Sequence, residues 1–170
     1  NNERKTIQMK IGNGDIATEL KDKKGITYFA SGVSDSSETR EEEFGRELDL
    51  LLEQDRSQKI IYFSSLCVFY SDTPYALHKR MMEEVVKSNF KKYTIMRLGN
   101  ITWGSNPKTI LNFFKNKIKN KEDFEIQDTY RYLVDKDEFQ HWIDKIPDFN
   151  CEISVTGKRM TIRQIVDELK

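Results

Sequence analysis

The run KIIYFSS, Lys59 to Ser65, constrains the fold more than any other stretch. Ile60, Ile61, Tyr62 and Phe63 leave no polar alternation, so a strand here needs cover on both faces. Comparable strands are expected in ITYF before Ala30 and in KYTIMRLGN from Lys92 to Asn100, with CEISVTG as a late one. Between them lie helical patterns. ETREEEFGRELDLLLEQD carries Phe44, Leu48, Leu51 and Leu52 at helical spacing, with acids in its first turn. DTPYALHKRMMEEVVKS opens on Thr73 as N-cap and Pro74 at the first helical position. Its expected buried stripe is Met81, Met82, Val85 and Val86. SNPKTILNFFKNKIKN repeats the start signature at Ser105–Pro107 and turns Ile110, Leu111, Phe114 and Ile118 inward; TIRQIVDEL closes with Ile162, Ile165, Val166 and Leu169. Strands alternating with helices of this length imply parallel pairing and an α/β sheet covered on both sides.

Bulk properties narrow the class. Lys plus Arg and Asp plus Glu each number 28, so no global field draws nucleic acid or an anionic membrane. No apolar run approaches the roughly 20 residues that cross a bilayer, and NNERKTIQ has no signal-peptide core. Cys67 and Cys151 form no CxxC, so a disulfide framework or zinc site is not indicated and a reduced, cytoplasmic setting is expected. The chain is expected to form a single domain over 1–170, with a core over 1–104 and a smaller C-terminal part over 105–170 that completes the sheet and the substrate side.

Two motifs carry chemistry. GNGDIA places Gly12, Gly14 and Ala17 in a GxGxxA pattern between a strand and a brief helix. There one glycine makes the turn, the next admits a pyrophosphate, and a small third residue lets helix and strand pack. No acid ends the next strand to hold a ribose, so NAD and NADP are not distinguished. Further along, Ser65 ends a strand and Tyr75 and Lys79 follow one helical turn apart. An ammonium beside a phenol is expected to lower its pKa from about 10 toward working pH. A phenol so tuned serves as an acid or base at a carbon that passes between hydroxyl and carbonyl.

In order, FSSLCVFY, TPYALHK and YTIMRLGNITWG resemble the extended short-chain dehydrogenase/reductase family, the nucleotide-sugar epimerases, dehydratases and reductases. The counterparts of its motifs are Val68 and Phe69, Pro74 to Lys79, and Arg97, Asn100 and Gly104. ITYFASG, YRYLVDKDEF and ISVTGKRMTIRQIVDEL resemble further segments. The resemblance implies a Rossmann-like doubly wound parallel sheet, truncated, with a vestigial C-terminal substrate region. It implies Tyr75 as acid/base, Lys79 on the nicotinamide ribose, and Ser65 orienting the substrate hydroxyl. The cofactor, NAD or NADP, would lie along Gly12, Gly14, Asp15, Ile16, Ala17, Ala30, Ser31, Gly32, Ser64 and Asn100. A nucleotide-linked sugar would meet Ser65, Asn100 and Arg131, the last as a diphosphate clasp. A homodimer built through the helices of EEEFGRELDLLL and YALHKRMMEEVV is also implied.

The chain departs from that family in several places. One strand–helix unit precedes ITYFASG, so the strands that cup the adenosine are missing. The loop from Ser65 to Tyr75 is short, and EEEFGRELDLLL carries no asparagine for a proton-relay water. Leu66-Cys67 stands where the dehydratases carry Asp-Glu, which disfavours 4,6-dehydration. A catalytically idle binding or assembly module on the same fold is the alternative. His78 and His141 have no second metal ligand at suitable spacing and are expected in packing or at the surface. Cys67 is expected as a small buried hydrophobe, and Trp103 and Trp142 as anchors.

Overall fold

The computed structural model describes residues 9–170; positions 5–8 of the expected first strand lie outside the described residues. The strands β1 (Lys10–Ile11), β2 (Ile26–Phe29), β3 (Lys59–Ser65) and β4 (Tyr93–Leu98) are joined to β7 (Cys151–Val155) in one sheet of order β1-β2-β3-β4-β7. Every neighbouring pair is parallel. Helices α1 (Glu41–Leu52) and α2 (Pro74–Asn89) make the crossovers β2 to β3 and β3 to β4. A second, three-stranded sheet has β6 (Tyr130–Val134) between β5 (Asn100–Ile101) and β8 (Lys158–Thr161). Helices α3 (Ile110–Lys119) and α5 (Ile162–Leu169) share a core with it, built on Phe114, Leu133, Met160, Ile162, Ile165 and Val166.

Strand periodicity divides the main core in two. Phe29, Ile60 and Tyr62 point to one face and meet Leu51 of α1 with Met82 and Val86 of α2. Tyr28, Ile61 and Phe63 point to the other and meet Leu20 and Phe139, the latter on α4 (Lys136–Asp144). Within the described strands the order never reverses, so they form no crevice of the kind that opens where an α/β sheet changes direction.

The β1–β2 link is reduced to one 3-10 turn, Ala17–Glu19. Its Leu20 packs on the face opposite α1, although the sheet advances in one direction through both connections. The two links therefore differ in hand. Giving α1 and α2 the usual right-handed crossover makes the glycine link left-handed. A link with no full helix escapes the packing that enforces the usual hand.

Of the stripe expected on α2, Met82, Val85 and Val86 pack into the core and Met81 does not. Tyr75, Lys79, Met82 and Val86 recur at helical spacing and all are buried, whereas Met81 is 43 % exposed. The start of α3 also differs, with Thr109 rather than Ser105 accepting from a first-turn amide, that of Asn112. The reason is local: the amides of Ser105 and Asn106 donate to the Asp15 carboxylate, which holds them in a turn. Met82→Ala should cost about 2–5 kcal/mol and Met81→Ala less than about 0.5. Chemical denaturation checks the pair, and equal costs would contradict the buried stripe.

Candidate active site

Period-two alternation separates the two serines at the end of β3. Ser64 shares parity with Ile60 and Tyr62, so its hydroxyl turns toward α2 and donates to Glu83 at 2.6 Å. Glu83 also takes a forked pair of bonds from Arg97. Ser64, expected at the cofactor, is committed to this ion-pair cluster. Ser65 ends the strand and accepts from the Cys67 amide at 3.2 Å, capping the 3-10 turn Leu66–Phe69. Its side chain also stands near enough to the Tyr75 phenol to favour the ionised form.

Tyr75 and Lys79 enter the site because they continue the stripe of Met82 and Val86 toward the sheet. The Lys79 ammonium stands 5.6 Å from the Tyr75 ring centre. A buried ammonium needs an anion, and here that anion is Glu47 of α1, whose Oε1 lies 2.9 Å from Lys79 Nζ. The two side chains are 0 % and 3 % exposed respectively. Glu47 Oε1 also accepts the Val33 amide at 2.6 Å, while Oε2 accepts the Tyr62 hydroxyl. His78 Nε2 sits 3.4 Å from Oε1 without hydrogen-bond geometry. Phe44 stacks on the His78 ring at 4.5 Å, so His78 is a packing residue of this cluster.

The electrostatics of the phenol run opposite to the sequence expectation. Burial pushes the Tyr75 phenol well above its usual range, and the neighbouring Cys67 and Glu47 add to the rise; the nearby Ser65 side chain opposes it. Burial alone would raise the Glu47 carboxyl. The charge of Lys79, the nearby His78 and hydrogen bonds from Tyr62 and Lys79 outweigh it and hold the group far below the usual carboxylate range. With its charge matched by Glu47, Lys79 does not bring the phenol down.

The remaining expected residues scatter. Gly12 has φ +115°, and a Cβ there would lie 2.4 Å from the Ala30 carbonyl oxygen, so strand approach alone requires glycine. Gly14 faces open space. Ile16 joins the second-face core and Ala17 is buried. Ser31 accepts from Arg46, and Gly32 packs so tightly that a Cβ would stand 2.6 Å from Lys79 Nζ. Asn100 donates to the Tyr132 carbonyl. Arg131 lies in a cleft of about 420 Å³ with Phe113, Phe124 and Lys117. Of the expected set, the structure brings together Gly32, Ser65, Tyr75 and Lys79. These fit the nicotinamide end of a dinucleotide. The phosphate end fits less well, since no full helix follows the glycines and the turn carries the Asp15 carboxylate, held by the Ser105 and Asn106 amides.

Glu47 was missed by sequence reasoning, although a signal existed. Tyr75, Lys79, Met82 and Val86 form one stripe that buries a lysine, and Glu47 is the acid at helical spacing from Phe44 and Leu51. Removing one partner of a buried pair strands the other charge, so Glu47→Ala should cost about 3–5 kcal/mol. Because the folded Glu47 value is depressed, its stabilisation is fully present above its unfolded value of about 4.3. It fades as the pH falls toward the folded value. Denaturation at a series of pH values checks both; an acid limb identical in wild type and variant would contradict the pairing.

No protein-family model and no curated protein matches the sequence. Solved structures do. WbmG of Bordetella bronchiseptica, in complex with NAD and UDP, is 14 % identical with a TM-score of 0.65, over 82 % of this chain and 53 % of that one. UDP-glucose 4-epimerase of Thermus thermophilus, in complex with NAD, is 15 % identical with a TM-score of 0.64, over 82 % and 59 %. UDP-glucuronic acid 4-epimerase of Bacillus cereus, with UDP-glucuronic acid and NAD, is 16 % identical with a TM-score of 0.58, over 75 % and 49 %. The chain thus spans about half the length of each of these three structures. At these identities the shared property is the Rossmann-like parallel α/β fold.

Proposed function

We propose that this protein is an NAD-dependent epimerase- or reductase-like enzyme acting on a nucleotide-linked sugar or a similar hydroxyl or carbonyl compound. The observation that carries the reading is the convergence of Ser65, Tyr75 and Lys79 at the end of β3 and the first turns of α2. The solved structures it resembles bind NAD, UDP or UDP-sugars, which supports NAD over NADP. Bound NAD would supply the hydride acceptor. Tyr75 would handle the proton at the substrate oxygen, Ser65 would orient that oxygen, and Lys79 would lie beside the ribose. Arg131 supports a diphosphate partner: its Nη1 bonds only the Thr129 hydroxyl and the Tyr130 carbonyl in the described structure. Residues 1–104 and 105–170 would then act together, the first on the cofactor and the second on the sugar nucleotide.

A second reading, an idle dinucleotide-binding or assembly module, draws on the Glu47–Lys79 pair and the shortened glycine link. Thermal melting with NAD, NADP and UDP-sugars separates the two when combined with turnover. The enzymatic reading expects stabilisation by NAD and a cofactor-dependent absorbance change that Tyr75→Phe lowers roughly 100- to 10,000-fold. Stabilisation without turnover favours the idle dinucleotide-binding module, and neither response favours the assembly module and contradicts the enzymatic reading.

The homodimer expected through α1 and α2 gains support from Leu77, 52 % exposed on α2, with Leu52 exposed on α1. Sedimentation should give a dimer that Leu77→Glu converts to monomer without loss of helical signal. A monomeric wild type would contradict this interface.

A further inference from the structure

The Lys79 ammonium has three N–H bonds to place. One goes to Glu47 Oε1 and one to the Tyr62 hydroxyl at 3.3 Å. Gly32 closes the approach on another side, since even a Cβ there would touch both Lys79 Nζ and Glu47 Oε1. Glu47 is itself held from three elements: the Val33 amide in the β2–α1 connection, Tyr62 on β3, and Lys79 with the adjacent His78 on α2. Such a carboxylate has little freedom to leave.

We propose that Glu47 is a positioning residue for this site, an internal counter-ion that claims Lys79 where a ribose hydroxyl would otherwise bind and so withholds the ammonium's charge from the Tyr75 phenol. The proposal takes the identity of the site from the Ser–Tyr–Lys reading, and its chemistry stands on the buried pair. Seen from the phenol, Lys79 and Glu47 act as a close dipole. A lone ammonium 5.6 Å from the ring would shift the phenol by about two pKa units at an effective dielectric near 20. A carboxylate 2.9 Å from that ammonium cancels most of the shift. The other groups that bear on the phenol are Ser65 at the end of β3, Cys67 in the turn after it and Asp35 in the β2–α1 connection. None of them is a cation that could replace Lys79. Tyr75 is thereby kept as a proton donor, and it can take up a proton only after Lys79 is drawn off Glu47.

The test is an alkaline titration of phenolate absorbance in wild type, Tyr75→Phe, Glu47→Gln and the double variant, with the fold monitored by circular dichroism. The wild-type minus Tyr75→Phe difference should show no phenolate below pH about 10. In the Glu47→Gln background the Tyr75 phenolate should appear about one to two pH units earlier than in wild type. A merely structural role for Glu47 would alter stability and leave that midpoint unmoved. A Tyr75 phenolate in wild type below pH about 9, or an unchanged midpoint in Glu47→Gln, overturns the proposal. Should Glu47→Gln not fold, the neutral pair Glu47→Gln/Lys79→Met decides instead: a Tyr75 midpoint near that of wild type supports the cancelled dipole, and one about two pH units higher overturns it. The titration needs no cofactor or turnover, so a failure to bind NAD would defeat the functional reading and leave this result standing.

Discussion

The buried pair of Glu47 and Lys79 ties the two crossover helices to the sheet and to each other. It joins α1 to α2, reaches the β2–α1 connection through the Val33 amide, and reaches β3 through Tyr62. An isolated charge in this interior would cost several kcal/mol, so the pair forms as a unit or leaves a large defect. The packing beside it follows: Gly32 is small because the pair occupies the space a side chain would need. Tyr75 is brought to Ser65 by the same helical stripe that buries the lysine.

Two further devices hold the far side of the molecule. Asp15, in the glycine turn, binds the amides of Ser105 and Asn106 and takes the Trp103 indole on its backbone carbonyl. Gly104 is required there because a Cβ would collide with that carboxylate. Trp103 in turn packs on Phe139 of α4, which closes the second face of the sheet. The glycine turn, which suggested phosphate binding, thus has two structural duties: close approach to β2 at Gly12 and attachment of the 103–106 loop at Asp15. The expected residues that the structure gathers, Gly32, Ser65, Tyr75 and Lys79, lie at the end proposed for the nicotinamide.

Much of the fold was legible because strands such as KIIYFSS and helix starts such as Thr73-Pro74 are local signals. Parallel pairing followed from the alternation of strands with helices. Less visible were features set by tertiary partners. Met81 and Met82 are equivalent in hydropathy, and only packing on Ile60 and Ile95 selects Met82. Residues 130–144 form β6 and α4, but YRYLV is half polar and pairs across to β8 rather than along the main sheet. The Ser65–Tyr75–Lys79 grouping was readable from spacing; its charge state was not, because Glu47 comes from a separate helix 32 residues before Lys79.

The central claim is that Glu47 is an ionised carboxylate bound to Lys79 inside the protein. Carbon-13 NMR of its carboxyl, assigned by comparison with Glu47→Gln and followed through an acid titration of the folded protein, measures this directly. The account predicts that the resonance stays at its carboxylate position through the range where exposed glutamates titrate, near pH 4.3. A midpoint at that ordinary value would show a solvated glutamate, and would leave Lys79 free to act on Tyr75 unopposed.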